Sequence, residues 1–265
     1  MKEMFSFRDH SFIICAYKES PYLEECIKSL KWQTPASNII ITTSTPNEYI
    51  QSLADKYSIQ MIENCGEHGI AGDWNFALKT AETKLVTIAH QDDVYLPMYT
   101  QIMIDEINKA EKPLFFSSAY GELRGSDYVA SNRLLNIKKL MMMPISSFPH
   151  SKNIRRMVLS FGNPICCPSV TYVKDNKEFE LFSNGYKSNL DWQQWEKLSK
   201  KDGSFVYYGK PLMLHRIHED SETSKVIGSD GRKNEDYQMF LNFWPKQIAK
   251  ILSEVYSKAE NSNKL

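Results

Sequence analysis

Apolar and polar positions alternate in a regular way along the first hundred residues of the chain. Short, nearly uninterrupted apolar runs occupy residues 11–17, 38–43 and 84–89, and residues 58–63 alternate apolar with polar side chains. Runs of this length are typical of strands buried in a sheet, and alternation is typical of a half-buried strand. We therefore expect four strands before Pro97.

The segments between these runs carry apolar residues at helical spacing. The positions that form the first two stripes are Leu23, Cys26, Ile27, Leu30, Ile50, Leu53, Ala54 and Tyr57. Ser20 and Pro21 predict the start of the first helix, as an N-cap residue followed by a favoured first helical residue. Thr45, Pro46 and Glu48 predict the start of the second helix as a capping box.

A third helix is predicted over residues 69–82, so strand and helix alternate four times before Pro97. This alternation predicts an α/β fold with a mostly parallel sheet flanked by helices. Ligands of such sheets bind beyond the carboxyl ends of the strands. We expect one site to be formed by the segments that follow the four strands, which are residues 16–19, 42–45, 64–69 and 90–93.

Beyond Pro97 the pattern is less regular. It predicts helices over 98–112 and 189–201, strands over 113–123, 163–174 and within 203–218, and one long or two shorter helices over 236–260, broken at Pro245. Residues 133–156 differ, because they mix Met141–Met143 and basic residues with two prolines. Three interpretations of this segment are open: a mobile acceptor loop, a lipid-facing patch, or an ordinary packed excursion. Residues 261–265 are expected to be frayed.

Composition narrows the class of protein. The chain has 265 residues, 42% of them hydrophobic, which is enough for one domain with an appendage. Lys and Arg number 32, as do Asp and Glu, so no overall field favours nucleic acid as a partner. The overall charge does not exclude a local basic patch.

The cysteines and the N-terminal segment bear on the cellular compartment. Five cysteines without CxxC spacing are typical of reduced thiols in a cytosolic protein. Residues 1–12 lack the apolar core of a signal peptide, and no run approaches the roughly 18 apolar residues of a membrane span. We expect a cytoplasmic protein, with peripheral association at the inner face of the cell membrane left open.

Two adjacent acids, Asp92 and Asp93, directly follow the fourth predicted strand. Adjacent carboxylates repel, and each costs free energy to desolvate. Hard divalent cations prefer oxygen ligands, and Mg²⁺ sites commonly share carboxylates with substrate phosphates. The pair could therefore hold a metal ion against a diphosphate, or it could be an acidic turn that opens the helix after Pro97.

Four segments, in order, resemble the inverting family-2 glycosyltransferases of the GT-A fold. "FIICAYKESPYLEECIKSLKWQT" and "GIAGDWNFALKTAETKLVTIAHQDDVYLP" are similar to the opening strand and helix and to the segment with paired acids. "LDWQQWEKL" and "LHRIHEDSETS" resemble the later acidic helix and the closing histidine motif. The resemblance covers residues 11–223. It implies a Rossmann-like nucleotide-diphospho-sugar transferase domain over 1–225, divided near residue 97 into nucleotide-binding and acceptor halves, and a C-terminal helical extension over 226–265.

The resemblance also implies roles for individual residues. Asp191 would be the catalytic base, and Asp93, Asp92 and His218 would bind Mn²⁺ or Mg²⁺, whereas His215 is expected to be structural. The residues expected to bind the nucleotide-sugar donor are Ala16, Tyr17, Glu19, Thr43, Asp73, Asn75, Asp92 and Arg216. Arg216 could neutralise phosphate charge.

The chain also departs from the family pattern. Thr42, Thr43 and Ser44 stand where the family has an aspartate that pairs with the base, so uridine is the default base but its recognition would differ. His90 replaces the first acid of the "DxDD" pattern, and Leu190 replaces the glutamate before Asp191.

The resemblance implies inverting transfer of a hexosyl or N-acetylhexosaminyl group from a UDP-sugar to a glycan or lipid-linked acceptor, in bacterial surface polysaccharide biosynthesis. A homodimer through Phe240, Phe243 and Trp244 stays open. Two alternative functions also stay open. "AHQDD" followed by "HRIH" resembles the zinc-dependent sugar N-deacetylases, and a non-catalytic protein that binds nucleotide sugars or carbohydrates could have the same fold.

Overall fold

The computed structural model describes residues 4–218 and 230–261, and the strands of this part form one sheet. The strands are β1 (His10–Ala16), β2 (Asn38–Thr43), β3 (Gln60–Glu63), β4 (Leu85–His90), β5 (Val94–Tyr95), β6 (Pro113–Arg124), β7 (Asp127–Val129), β8 (Val170–Val173) and β9 (Ser204–Ile217). Their order is β3-β2-β1-β4-β8-β6-β9-β5, and β7 pairs with β6. All the strands predicted from the sequence are present.

The first four strands run parallel, with β1 between β2 and β4. Ala16 at the end of β1 lies opposite Thr43, and Cys15 lies opposite His90. β8 is antiparallel to β4 and β6, and the long strand β9 runs parallel to β6. Because the carboxyl ends of β1, β2, β3 and β4 share one edge, the segments that follow these strands meet there, as expected from the alternation.

Helices cover both faces of this sheet. In the described part of the chain they are α1 (Leu23–Lys31), α2 (Glu48–Lys56), α3 (Ile70–Thr80), α4 (Tyr99–Lys109), α5 (Arg133–Ser147), α6 (Lys152–Leu159), α7 (Leu190–Ser199), α8 (Asp230–Leu241) and α9 (Lys246–Asn261). Alternate residues of β1 point to opposite faces, so Phe12 and Ile14 lie in one buried cluster and Ile13 in the other. Burial on both faces explains why β1 is apolar without alternation.

The predicted starts of the first two helices are wrong by a few residues. α1 begins at Leu23, and its N-cap residue Tyr22 makes no side-chain cap. α2 is capped by Asn47, whose side chain accepts a hydrogen bond from the Ile50 N–H. The Thr45 hydroxyl instead accepts a hydrogen bond of 2.6 Å from the Lys18 N–H, beyond the end of β1. Thr45 therefore bonds to a distant segment, and Asn47 caps the helix in its place.

Residues 133–156 form helices α5 and α6, so the interpretation as a mobile loop is wrong. Met142 is buried, whereas the side chain of Met143 is 57% exposed. α5 therefore packs on the domain by one side and leaves apolar side chains on the other.

The C-terminal segment forms two helices, which are separated at Pro245 as one of the sequence alternatives predicted. Phe240 is buried in the cluster that contains Trp192, and the Trp244 Nε1–H donates to the Ser160 carbonyl at 2.7 Å. Phe243 lies under the Arg156 guanidinium. Phe240 is therefore occupied within the chain, whereas Phe243 and Trp244 are partly exposed, and a homodimer through these residues stays a prediction.

None of the described helices is both long enough and apolar enough to span a bilayer. Residues 219–229, which include the end of the closing motif, and residues 262–265 of the tail expected to fray lie outside the described residues.

Candidate active site

The carboxyl ends of β1 and β4 are joined by one amide side chain. Gln91 accepts a hydrogen bond of 3.0 Å from the Tyr17 N–H and donates one of 3.1 Å to the Tyr17 carbonyl. The side chains of Tyr17 and Glu19 are exposed, and Ala16 is buried beside Thr43. Tyr17 and Glu19 are therefore accessible to a ligand at this edge of the sheet.

Asp73 connects the first turn of α3 to the ends of two strands. Its carboxylate accepts hydrogen bonds from the Ser44 hydroxyl at 3.1 Å and from the Asn64 amide at 2.8 Å. Ser44 follows β2 and Asn64 follows β3. Asp73 therefore fixes the position of both strand ends.

Two other residues predicted to bind the donor also make bonds within the chain. The Asn75 amide donates to the Phe182 carbonyl and accepts from the Phe182 N–H, at 2.9 and 2.8 Å. The Thr43 hydroxyl accepts from the Thr45 N–H at 3.0 Å. Contact of these residues with a nucleotide stays a prediction.

His90, Asp92 and Asp93 form a cluster at the end of β4, with one potential ligand atom from each lying within 4.8 Å of the others. Asp93 is fully buried. Its Oδ1 accepts a hydrogen bond of 2.9 Å from the Arg216 N–H and lies 3.0 Å from His215 Nδ1. Its Oδ2 has no hydrogen-bond partner among the described residues and lies 4.0 Å from His90 Nδ1. A buried carboxylate oxygen in this state is costly unless a cation compensates it.

Strand β9 and the residue after it supply the other side of this cluster. His218 Nε2 lies 2.9 Å from Asp92 Oδ2. The buried Arg216 guanidinium donates to the Asp92 carbonyl at 2.8 Å and to the Glu25 carboxylate at 2.5 Å, and it lies 4.4 Å from the centre of the Tyr22 ring. The structure thus brings the three predicted metal ligands, Asp92, Asp93 and His218, together. The Arg216 guanidinium links the backbone of Asp92 to Glu25 on α1.

Charges within the cluster compensate one another. Burial alone would raise the pKa of Asp92, but His90, the hydrogen bond from His218, and His215 outweigh burial and lower that pKa. Burial also disfavours the charged form of His215, yet Asp93 raises the pKa of His215 to about 9. At neutral pH His215 therefore carries a positive charge, which faces Asp93 Oδ1. His215, expected to be merely structural, is an electrostatic partner of the acids.

Asp191 lies in the first turn of α7, where the helix N-terminus favours an acid. Its Oδ1 accepts from the Trp192 N–H and its Oδ2 from the Asn163 amide, both at 2.7 Å. Burial raises the pKa of Asp191, although these bonds and the charges of Arg232 and Lys138 oppose the rise. An oriented carboxylate that binds a proton more tightly than an ordinary aspartate is suited to act as a general base.

Asp191, the predicted base, and Asp93 of the acidic cluster both raise the pKa of the Cys166 thiol. Burial raises the pKa of Cys166, and the charges of Asp93 and Asp191 raise it further. Because Coulomb energies fall with distance, both carboxylates lie in the neighbourhood of this thiol. Both carboxylates are therefore close enough to Cys166 to act on the same thiol.

Helix α8 holds the segment from which α7 begins. The Glu235 carboxylate accepts hydrogen bonds from the N–H groups of Lys187, Ser188 and Asn189, at 2.7, 2.8 and 3.1 Å, and from the Ser188 hydroxyl at 2.9 Å. The Asn189 amide donates to Asp236 at 2.7 Å. These hydrogen bonds fix the three residues that directly precede the first turn of α7, which carries Asp191.

Helix α9 supports the segment that carries Asn163. Gly162 has a φ of +138°, and a Cβ atom there would lie 2.6 Å from the Tyr256 ring, so glycine is required on both grounds. The Tyr256 ring also packs against Trp192 at 5.5 Å. Both C-terminal helices thus contact the surroundings of Asp191.

Sequence comparison places the chain among known proteins. The family model described as Glycosyl transferase family 2 matches residues 11–177. An uncharacterized glycosyltransferase of Rickettsia conorii is 23% identical over 237 residues, which are 88% of this chain and 38% of that protein. The chain therefore spans about two fifths of the length of this curated relative.

Solved structures with a similar fold include two of S. aureus TarS 1–349. The complex with UDP-GlcNAc has a TM-score of 0.62 and 14% identity, and the match covers 96% of this chain and 73% of that one. The structure of TarS 1–349 without a named ligand has a TM-score of 0.59 and 15% identity, with coverages of 91% and 72%. At these identities the likeness concerns the fold alone.

Proposed function

Because the chain belongs to glycosyl transferase family 2 and has the GT-A fold, we propose that it is an inverting, metal-dependent glycosyltransferase. The observation that carries this proposal is the cluster of His90, Asp92 and Asp93 at the carboxyl edge of the parallel strands. A UDP-sugar is the default donor, because S. aureus TarS 1–349 binds UDP-GlcNAc and UDP. The acceptor would be a hydroxyl group of a glycan or of a lipid-linked glycan.

The residues of the cluster fit a divalent cation. Two carboxylates and an imidazole suit Mn²⁺, and the carboxylates also suit Mg²⁺. Asp93 Oδ2, which has no hydrogen-bond partner among the described residues, supports a cation at this position. His90, Asp92 and Asp93 would hold it, and His218 stays a further predicted ligand. The bound cation would supply positive charge that stabilises the leaving nucleoside diphosphate.

The remaining chemistry belongs to the side chains. The acceptor hydroxyl attacks the anomeric carbon on the face opposite the departing diphosphate, and Asp191 accepts the hydroxyl proton. The Asn163 amide and the Trp192 N–H orient the Asp191 carboxylate. Tyr17 and Glu19, exposed beyond β1, are proposed to contact the nucleotide.

The family match bears on the two alternative functions. The zinc-dependent N-deacetylase is set aside, because the matched residues 11–177 include the "AHQDD" segment within a glycosyltransferase family. A non-catalytic binding protein would bind the nucleotide without turnover, and measurement of nucleoside diphosphate release from the donor separates it from the enzyme. Surface polysaccharide biosynthesis and the boundaries 1–225 and 226–265 rest on family analogy and are proposed on that ground.

A thermal-shift screen tests the donor class. The melting temperature of the protein is measured with UDP, GDP, CDP and dTDP, each with and without Mn²⁺. One nucleoside diphosphate, UDP by default, should raise the melting temperature more with Mn²⁺ than without it, since a ligand that binds only the folded state stabilises that state. Absence of a shift with every nucleotide would contradict the proposed function.

A further inference from the structure

The charges of the chain are unevenly distributed. Between Asp127 and Asp175 the chain has no acidic residue, although acidic and basic residues are equal in number overall. The basic residues of this segment are Arg133, Lys138, Lys139, Lys152, Arg155, Arg156 and Lys174. Arg155 is buried, but Arg133, Lys139 and Lys152 are exposed, so the surface of this segment carries positive charge that favours a partner with negative charge.

Helix α5, within that segment, is apolar on two opposite sides. Its inward side includes the buried residues Leu135, Met142 and Ile145. Its outward side carries Ile137, Leu140 and Met143, with side chains 45%, 65% and 57% exposed. A surface helix of a globular domain ordinarily presents polar residues outward, so this pattern is typical of a helix that is covered on both sides.

The apolar outward face continues at the end of α5 and is flanked by basic side chains. Phe148, directly after the helix, is 60% exposed. Lys152 and Arg156 are paired with Asp202 and Glu196. Arg133 and Lys139 are exposed, and within residues 4–218 and 230–261 neither forms an ion pair. Their charges are available to an external anion.

We propose that the outward face of α5, defined by Ile137, Leu140 and Met143 with Arg133 and Lys139, docks on an anionic lipid bilayer. Apolar side chains that enter the headgroup boundary, next to basic residues that contact anionic headgroups, are the features of interfacial helices. A second copy of the chain is the less favourable occupant, because it would bring two basic faces together.

The position of α5 gives the docking a consequence for catalysis. The helix packs against β9, the strand that carries His215 and Arg216 to the acidic cluster. Docking would therefore hold the site next to the bilayer surface. This consequence rests on the proposed function, whereas bilayer binding itself does not.

Vesicle co-sedimentation tests the docking surface. The full chain is mixed with phosphatidylcholine vesicles, or with vesicles that also contain phosphatidylglycerol, at low and at high salt. The wild type should bind the anionic vesicles at low salt and lose binding at high salt. The affinity of the variant I137S/L140S/M143S for anionic vesicles should be at least about tenfold lower than that of the wild type, since three apolar side chains lose their contact with lipid. The variant R133Q/K139Q should lose the preference for anionic vesicles.

The matched control is I248S/I251S/V255S on α9, which changes three exposed apolar residues of the same kind. It should bind like the wild type, and all variants should keep the wild-type melting temperature and nucleotide response. The proposal would be overturned if the control and the α5 variant lost vesicle binding equally. It would also be overturned if the wild type did not bind anionic vesicles. A wild-type dimer in sedimentation velocity that the α5 variant abolishes while vesicle binding persists would overturn it as well. A failed nucleotide response with intact vesicle binding would instead contradict the proposed function alone.

Discussion

Asp191 is held by the Asn163 amide and the Trp192 N–H, and the substitution D191N keeps its shape while removing its ability to accept a proton. We expect the kcat of glycosyl transfer to fall by about 100-fold or more, the typical share of a general base. Nucleotide affinity should stay unchanged. The measurement is release of nucleoside diphosphate from the donor in the presence of acceptor, with binding followed separately. A kcat within a few-fold of the wild type would exclude Asp191 as the base.

The charge of Arg232 lowers the pKa of Asp191, which burial raises. The charge of Lys138 also lowers the pKa of Asp191. Among the described residues, the other titratable groups that interact with Asp191 are the Cys166 and Cys167 thiols and the Tyr172 hydroxyl, whose pKa values Asp191 raises. A base must be ionised to act, so activity falls as the pH falls through the pKa of Asp191. R232Q should therefore move the acid limb of the pH–kcat profile to higher pH.

The matched control for R232Q is K233Q, which removes the neighbouring charge on α8. That variant should leave the acid limb of the profile in place. An acid limb that stays fixed or moves to lower pH in R232Q would show that Asp191 does not set it.

His10 is fully buried between Ser37 and Thr87, and its ring nitrogens lie 2.8 and 2.9 Å from their hydroxyls. Burial lowers the pKa of His10 to about 3. Between that value and the unfolded pKa of about 6.5, the unfolded chain binds one more proton than the folded chain. The free energy of unfolding should thus fall by about 2 kcal/mol between pH 6.5 and 5 through this residue.

Urea unfolding at several pH values tests the prediction for His10. H10Q should lack this part of the pH dependence, whatever its stability at neutral pH. H68Q, at an exposed position, should show the wild-type dependence. Parallel curves for H10Q and the wild type would contradict the buried neutral state of His10.

At the scale of elements, the sequence pattern predicts the strands and most helices because periodicity is a local property. The caps were less predictable, since the Thr45 hydroxyl has a partner on the Lys18 backbone that no local pattern shows. The pattern does not identify the helices in residues 133–156, because apolar side chains on both sides of α5 hide the helical period.

The same limit applies to the candidate site. Asp92, Asp93 and His218 could be predicted because family motifs mark them. Glu25, which binds Arg216, and Asn163, which binds Asp191, come from distant segments, and no short pattern identifies them. Only the fold brings such residues to the site.

Glu235 shows how one element positions another. Its carboxylate accepts four hydrogen bonds from the segment before α7. E235A should cost about 1 kcal/mol of stability, as loss of a helix cap does. It should also lower kcat several-fold without changing KM for the donor, because Asp191 is less well oriented.

The conservative variant E235Q should recover part of the kcat, since the amide oxygen keeps some of these bonds. E254Q, an exposed acid on α9, serves as the control and should behave as the wild type. If E235A instead raised KM and left kcat unchanged, Glu235 would not position the base.

At the scale of the whole molecule, three separate parts of the chain supply the residues of the candidate site. The parallel strands supply the acidic cluster, β9 adds His215, Arg216 and the following His218, and α8 holds the helix of Asp191. Helix α5, which packs against β9, adds the exposed basic residues Arg133 and Lys139. The central claim is that the acidic cluster binds a nucleoside diphosphate together with a divalent cation.

Calorimetric titration with the nucleoside diphosphate identified by thermal shift, with and without Mn²⁺, tests this claim most directly. D93N keeps the oxygen that accepts the Arg216 N–H, and D191N serves as the control for an acid outside the cluster. Binding to the wild type and to D191N should require Mn²⁺, and D93N should bind at least about tenfold more weakly. Equal affinity and equal Mn²⁺ dependence in D93N and the wild type would contradict the claim.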